Sequence, residues 1–367
     1  MQTYRVSLRP VGDTAKLPTS ETLFGALCWG VRDLFGLDVL LGMLERFAAG
    51  EPPFVISSAF PSAGHGAETV DLLARPRGLR VSAAQVEQFA EDMDAELVEA
   101  FDHARRFGRA PYVSRAIMRR VLAGEASEDL LAETWHFREE APNGEQAVLR
   151  GETVLTGAEL SSLPDDARTA VTDGLVAERS MLRASIDRLS DSTTPGGQLF
   201  YSPRLRVHPE ATLTAWLQAE DVAPLRSAFS YLQDGGIGGQ RSIGQGRYEI
   251  AVAPAEPLPG AESGETFVSL SRYLPAEGEV DMTSDALAYD LLPYRGRVES
   301  AHEFQGQDIF KRQILYWAEG AVVPVTQQKP VYGSVPMVKE IDGQRIYQNG
   351  LAFPLFFASE AGESDAA

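Results

Sequence analysis

Six glycines fall within positions 235–246: Gly235, Gly236, Gly238, Gly239, Gly244 and Gly246. Arg241 and Ser242 lie among them and Arg247 follows directly. Glycine admits positive φ and lets a backbone approach a ligand closely. Backbone N–H groups in such a loop, flanked by guanidinium groups, suit phosphate oxygens. Two well-known phosphate-loop patterns fail here. The Walker pattern requires a lysine, and the loop has none. The G-x-G-x-x-G fingerprint fails at its third glycine from either start, where Arg241 or Glu249 stands, and a strand follows where a helix is required. A tight multi-turn connection without a ligand would account for the glycines alone; the interleaved arginines move the reading toward phosphate contact. Ser20 and Thr22 open a predicted helix, where free N–H groups and the helix dipole favour an anion. For Ser20 a plain N-cap role is an equal account.

Acid–base and metal chemistry have weaker signals. The histidines are His65, His103, His136, His208 and His302; none lies in the opening helix or beside the glycine loop. A single histidine without a placed partner is a poor catalytic signal, and no H-x-x-x-H pair occurs. Carboxylate pairs such as Asp165-Asp166 and Glu139-Glu140 read as a solvated acidic face. The lone cysteine, Cys28, excludes an intramolecular disulfide and a cysteine-based zinc site. No catalytic residue, metal ligand or cofactor is therefore expected.

Charge narrows the field further. With 33 Lys and Arg against 52 Asp and Glu, the net charge is −19. Bulk positive charge cannot attract nucleic acid to this chain, so any phosphate contact is confined to a local basic groove. The densest basic stretch runs from 105 to 120 (Arg105, Arg106, Arg109, Arg115, Arg119, Arg120). It has two readings of equal weight: an RNA path, or pairing with the chain's own acids or an acidic neighbour. Arg75, Arg77 and Arg80 form a second basic turn with the same ambiguity. The N-terminus has no apolar signal core, and the apolar runs fall short of the roughly 18 residues of a membrane span. A cytoplasmic location without membrane contact is expected.

The elements that must position these residues follow from periodicity. Residues 3–9 alternate, with Tyr4, Val6 and Leu8 on one face, and predict a half-buried strand. Thr19 or Ser20 caps a helix carrying Leu23, Leu27, Val31 and Leu34, which Gly36 ends. A second helix over 39–49 and a strand over 54–60 follow. Residues 83–107, 114–123 and 165–190 read as helical, 145–156 as a strand, and 198–207 and 211–218 as strands. A helix over 222–233 precedes the glycine loop, and a strand over 248–252 follows it. Residues 253–264, rich in proline and glycine, make the best domain boundary. Short alternating runs beyond it predict a β-rich second half. Phe200 and Tyr201 could stack on a base, although core packing is the better account of an aromatic on a strand.

The run G-I-G-G-Q-R-S-I-G-Q-G-R-Y-E-I, between a helix and a strand, resembles the glycine-rich loop of the RAMP superfamily of CRISPR proteins. The opening strand followed by L-P-T-S-E-T-L-F-G-A-L-C-W at 17–29 is similar to one subfamily. So are P-F-V-I-S-S-A-F-P at 53–61, the run from Ile186-Asp187-Arg188 through Leu199-Phe200-Tyr201, Tyr332-Gly333, and N-G-L-A-F-P at 349–354. Together they resemble the fourth-subunit family of the type III-A (Csm) effector complex, from residue 4 to about 357; the middle region, about 80–165, aligns with no family pattern. The resemblance implies an α+β fold of two ferredoxin-like (RRM-like) βαββαβ domains. The first would occupy 1–254, with a helical and hairpin insertion at about 80–195 and the glycine-rich loop at 235–247. A β-rich second domain would span 265–357, and 358–367 would be an acidic disordered tail.

It also implies a noncatalytic subunit that grips the 5′ handle of the CRISPR RNA. Its partners would be the large palm-domain subunit that makes cyclic oligoadenylate, the repeated RAMP backbone subunit and, indirectly through a projecting hairpin, target RNA. A handle site holds phosphates and splays bases onto a platform. The residues expected there are Ser20, Thr22, Arg188, Gly238, Gly239, Arg241, Ser242, Gly244, Gly246 and Arg247. Two rivals stand beside this reading: a RAMP-type metal-independent endoribonuclease processing precursor RNA, and an unrelated two-domain scaffold with a glycine-rich turn.

Overall fold

The computed structural model describes residues 1–66, 68–140, 142–184, 186–187, 192–193, 199–298 and 308–358. Arg188 and the tail beyond Ala358 lie outside the described residues.

The first strand, β1 (Gln2–Pro10), buries Tyr4, Val6 and Leu8 and turns Arg5, Ser7 and Arg9 to its other face, as the alternation requires. The elements that follow are α1 (Ser20–Phe35), α2 (Leu37–Ala48), β2 (Phe54–Ile56), β3 (Phe60–His65) and β4 (Glu68–Ala74). Next come α3 (Ala83–Asp92), α4 (Leu97–Arg109), β5 (Tyr112–Ser114), α5 (Arg115–Leu122) and α6 (Ser127–His136). After these lie β6 (Ala147–Arg150), β7 (Thr153–Thr156), α7 (Gly157–Ser162), α8 (Asp165–Asp173) and β8 (Val176–Ala184). The short β9 (Ile186–Asp187) and β10 (Ser192–Thr193) pair with each other. β11 (Leu199–Val207), β12 (Ala211–Ala219), α9 (Ala223–Gly235) and β13 (Tyr248–Pro254) complete the first unit.

β13, β1, β12 and the β2/β3 segment are antiparallel neighbours in that order. With α1 after β1 and α9 after β12, this is the βαββαβ order of a ferredoxin-like domain. The helices cover the face bearing Val6 and Leu8: α1 buries Leu23, Phe24, Leu27 and Val31, and α9 buries Leu225, Phe229 and Leu232. They cross closely at Gly30, where a Cβ would stand 2.9 Å from Ala228 Cβ. The same sheet continues through β4, β5, β7 and β6, with only β5 and β7 parallel. The inserted helices pack over this extension around Phe107, Ile117, Leu130, Leu131 and Trp135.

Three expectations are corrected. Residues 165–190 are not one helix: α8 stops at Asp173, Gly174 turns the chain at φ +110°, and β8 pairs with β11 in a nine-residue ribbon. Residues 83–107 form two helices, separated where Asp94 adopts φ +49°. The strand expected over 54–60 is interrupted at 57–59: Ser57 still bonds β12, but the Ser58 and Ala59 N–H groups leave the ladder. Ser57 donates to Trp216 O, Ser58 to Leu270 O and Ala59 to Pro18 O, at 2.8–3.0 Å.

The β-rich second half holds β14 (Thr266–Ser269), β15 (Leu291–Tyr294), β16 (Ile314–Trp317), β17 (Val322–Pro324) and β18 (Gly333–Ser334). β19 (Met337–Ile341), β20 (Gln344–Tyr347), β21 (Gly350–Leu351) and β22 (Pro354–Phe356) follow. β14 is central between β17 and β22. Its alternation splits two cores: Phe267 faces an aromatic cluster with Tyr273, Tyr332 and Phe356, and Val268 joins the core of the first unit. Among the described residues beyond β13 there is no α-helix, and the other face of β14 packs through Val268 into the core of the first unit. The proline-rich 253–264 segment marks a change of composition, but the apolar core runs on through it.

Candidate nucleic-acid interface

The glycine loop is built by its own backbone. Ile237 is buried and anchors it, and its N–H donates to Gly246 O at 2.8 Å. Gly246 has no room for a side chain: at φ +70° a Cβ would lie 2.2 Å from Ile237 O. Gln240, at φ +61°, turns the chain in a conformation that non-glycine residues rarely adopt. A short 3₁₀ turn at Arg241–Ile243 then leads back toward β13.

This turn divides the loop between two sides. Gly238, Gly239 and Gln240 line a cleft of about 510 Å³, and Gly238 faces Thr22, whose Cγ2 a Cβ there would meet at 3.8 Å. Arg241 runs its stem along Gly236 and lies near Tyr231, away from the cleft lining. Arg247 is exposed, its carbonyl accepting from the Val11 N–H at 3.0 Å. Gly244, also left-handed, has open space around it. Ser242 belongs to the 3₁₀ turn. Of the ten expected RNA-contact residues, Thr22, Gly238 and Gly239 meet in the cleft. Arg241, Ser242, Gly244, Gly246 and Arg247 shape or flank the loop, and Arg188 lies outside the described residues.

The N-terminus of α1 forms the adjoining wall. Thr19 is the N-cap by position, but its hydroxyl donates to Glu21 Oε1 at 2.6 Å and is not used to cap the helix. Thr22 Oγ1 lies 3.0 Å from the same hydroxyl. Ser20 is fully buried behind this wall. Its N–H donates to Ser58 Oγ at 3.0 Å, and its own Oγ accepts from the Arg272 N–H at 3.1 Å. Ser20 thus ties α1 to the second half of the chain and is withdrawn from the cleft surface.

The cleft lining itself carries an ionic network of Glu21, Arg272 and Glu319. Arg272 Nη1 donates to Glu21 Oε1 at 2.7 Å, and its Nε stands 3.4 Å from Glu319 Oε1. Ser58 Oγ donates to Glu319 Oε1 at 2.6 Å. Burial pushes the Glu21 carboxyl above its ordinary value of 4.5, and Arg272 opposes that rise. The cleft lining also includes Lys16, Arg77, Tyr112 and Tyr294. Burial, with Glu152 and Glu319 adding to it, pushes the Tyr112 phenol up to about 12, so it remains a neutral hydroxyl. Two aromatic rings, the exposed Lys16, Arg77 paired with Asp290 at 2.9 Å, and a helix N-terminus share this concavity with the Glu21 and Glu319 carboxylates, and the cations and rings can hold phosphates and stack bases.

Sequence reasoning missed Lys16, Tyr112, Arg272 and Tyr294, and left Arg77 undecided. They come from five separate segments, and no local pattern joins them. Phe200 and Tyr201 are exposed on the β8–β11 ribbon, at 48% and 71%, so the core-packing account is corrected. Opposite them in register stand Arg183 and Leu182.

The basic stretch 105–120 divides as well. Arg105 pairs with Asp102, and Arg120 is held between Glu125 and Glu133. Arg115 lies over the Trp216 ring at 5.4 Å. Arg75 is buried, its guanidinium donating to the carbonyls of Phe107 and Leu79. His103 is buried against Thr134, and His65 lies 3.0 Å from Pro209 O. Among the described residues no group of three or more His, Cys, Asp and Glu side chains is placed to hold a metal. No helix among them is long and apolar enough to cross a membrane.

No family model and no curated protein sequence matches the chain. Solved structures do. A chain of a Csm1-Csm4 cassette in complex with pppApA is 17% identical over 99% of this chain and 100% of its own, with a TM-score of 0.56. A chain of the Csm3-Csm4 subcomplex in the type III-A CRISPR-Cas interference complex is 15% identical over 97% and 99%, with a TM-score of 0.60. A chain of a Csm1-Csm4 cassette in complex with AMPPNP is 18% identical over 99% and 100%, with a TM-score of 0.55. The α+β fold, from the ferredoxin-like unit through the β-rich second half, is shared with these chains along nearly their full length.

Proposed function

We propose that this chain is a noncatalytic RNA-binding subunit of a type III-A CRISPR effector complex. It grips the 5′ handle of the CRISPR RNA and anchors the palm-domain subunit to the first of the repeated RAMP backbone subunits. The observation that carries this reading is the cleft: Thr22, Gly238, Gly239, Lys16, Arg77, Tyr112 and Tyr294 converge in one concavity on a chain of net charge −19. A local gripping groove on a chain of strongly acidic composition suits a short strand held in register and opposes indiscriminate coating. The full-length likeness to chains from assemblies named for Csm1, Csm3 and Csm4 supports the partners. Leu37, Val39 and Leu41 of α2, each about half exposed, offer apolar surface to such a subunit. The exposed β8–β11 ribbon suits contact with a guide–target duplex. A subunit with this role works in the cytoplasm.

The test is binding of a fluorescent RNA carrying a repeat-derived 5′ tag, alone and with the palm-domain subunit, while RNA integrity is followed. Lys16→Ala with Arg77→Ala should weaken binding and lower the salt slope by up to about 1.4, at about 0.7 per phosphate of a single strand. Arg241→Ala and Arg247→Ala report on the outer side of the loop. Cleavage of the RNA would move the chain to the endoribonuclease class. Binding that none of these four substitutions alters would remove the cleft and its loop from the reading.

A further inference from the structure

A second basic cluster lies in the β-rich half, on a segment that the sequence reading passed over. Arg295, Phe310, Lys311, Arg312 and Lys339 line one concavity of about 330 Å³. Its lining carries one carboxylate, Asp308, whose Oδ2 lies 3.1 Å from Lys339 Nζ. The guanidinium groups of Arg295 and Arg297 both stand over the Phe310 ring, 4.9 and 5.1 Å from its centroid. Arg295, Arg297 and Arg312 are exposed. A guanidinium stacked on a ring keeps its N–H edges for phosphate oxygens and offers its own plane to a base. Cations interleaved with an aromatic are the surface that a single strand needs. On a chain with 19 more acidic than basic residues, such a local excess stands against the composition.

The cluster adjoins the cleft. Tyr294 lines the cleft and Arg295, the next residue in the chain, lines the patch. We propose that this patch is a second phosphate-gripping site for the same single-stranded RNA, which leaves the cleft past Tyr294 and crosses Phe310. The route rests on the reading of the cleft as an RNA site; the chemistry of the patch does not.

Two oligonucleotides separate the sites, because single-strand sites of this kind span about 4–16 nucleotides. A 4-mer fills one site, and a 16-mer covers both. Arg295→Ala with Arg312→Ala should weaken 16-mer binding about tenfold and lower its salt slope by about 1.4, leaving the 4-mer unchanged. Phe310→Leu, which keeps an apolar side chain and removes the ring, should weaken only the 16-mer. All three side chains are exposed, and an unchanged melting temperature controls for folding. If the patch variants bind the 16-mer as the wild type does, the proposal is overturned and the cleft reading stands. If they weaken it while Lys16→Ala with Arg77→Ala does not, the patch stands as a phosphate site while the cleft reading and the proposed route fall. Loss of palm-subunit binding with RNA binding intact would make the patch a protein interface and overturn the proposal.

Discussion

Replacing Arg272 by alanine removes the guanidinium that neutralises a carboxylate sealed between α1 and the second half of the chain. The Glu21 side chain is 1% exposed and Arg272 is 18% exposed, with 2.7 Å between them. Breaking a buried pair from one side costs about 3–5 kcal/mol. The partial exposure of Arg272 puts the expected cost near the lower bound, about 3 kcal/mol. At about 2 °C per kcal/mol for a large chain, the melting temperature should fall by about 6 °C. The loss has a pH signature. Burial already holds the Glu21 carboxyl above 4.5, and Arg272 opposes it, so without Arg272 the carboxyl rises further. A carboxyl raised in the folded state contributes stability that is fully present below its unfolded value and is lost as pH rises through its folded value. The deficit of Arg272→Ala should therefore be largest near pH 8 and shrink as the pH is lowered toward 4.5. Calorimetry of wild type and variant across that range measures it. Glu21→Gln combined with Arg272→Met should recover most of the loss, because the one carboxylate left without Arg272, Glu319, is partly exposed and still accepts from Ser58 Oγ. A deficit that does not change with pH, or a double variant no better than the sum of its singles, would mean that Arg272 contributes packing alone.

The glycine loop gives a paired test. Gly246→Ala places a methyl against the Ile237 carbonyl at positive φ and should destabilise by at least about 1–2 kcal/mol, whereas Gly239→Ala meets open space and should leave the melting temperature unchanged. His103 is pushed down to about 4 by burial, with Arg106 and Arg138 adding to it. Its stabilising contribution is present above the ordinary value of 6.5 and is lost as pH falls through 4, an effect of about 2–3 kcal/mol. Urea unfolding at pH 7 and pH 4.5 should lose that part of its pH dependence in His103→Gln. Tyr201→Ser, on the exposed ribbon, should change stability by less than about 0.5 kcal/mol. Any loss it causes in binding a guide–target duplex would then belong to the contact itself.

What the sequence by itself determined is what local burial writes into it. The period of two in β1 and the 3–4 spacing of Leu23, Leu27 and Val31 in α1 come from elements with one face in the core. The glycine loop was legible because positive φ at Gly238, Gly244 and Gly246 demands that residue type. The β8–β11 ribbon was not legible as a ribbon. Most of the β8 side chains are exposed, so no buried face imposes alternation, and residues 165–190 read as one helix. Only the tertiary structure decided which residues share the cleft. Lys16, Arg77, Tyr112, Arg272 and Tyr294 are brought there by sheet order and by the seam around Glu21. It also withdrew Ser20 into that seam and turned Arg241 away from the cleft lining. The periodicity of a segment reports how it meets the core. Which distant side chain stands opposite a given residue is set by the packing of whole elements, and a single sequence carries no local signal of that.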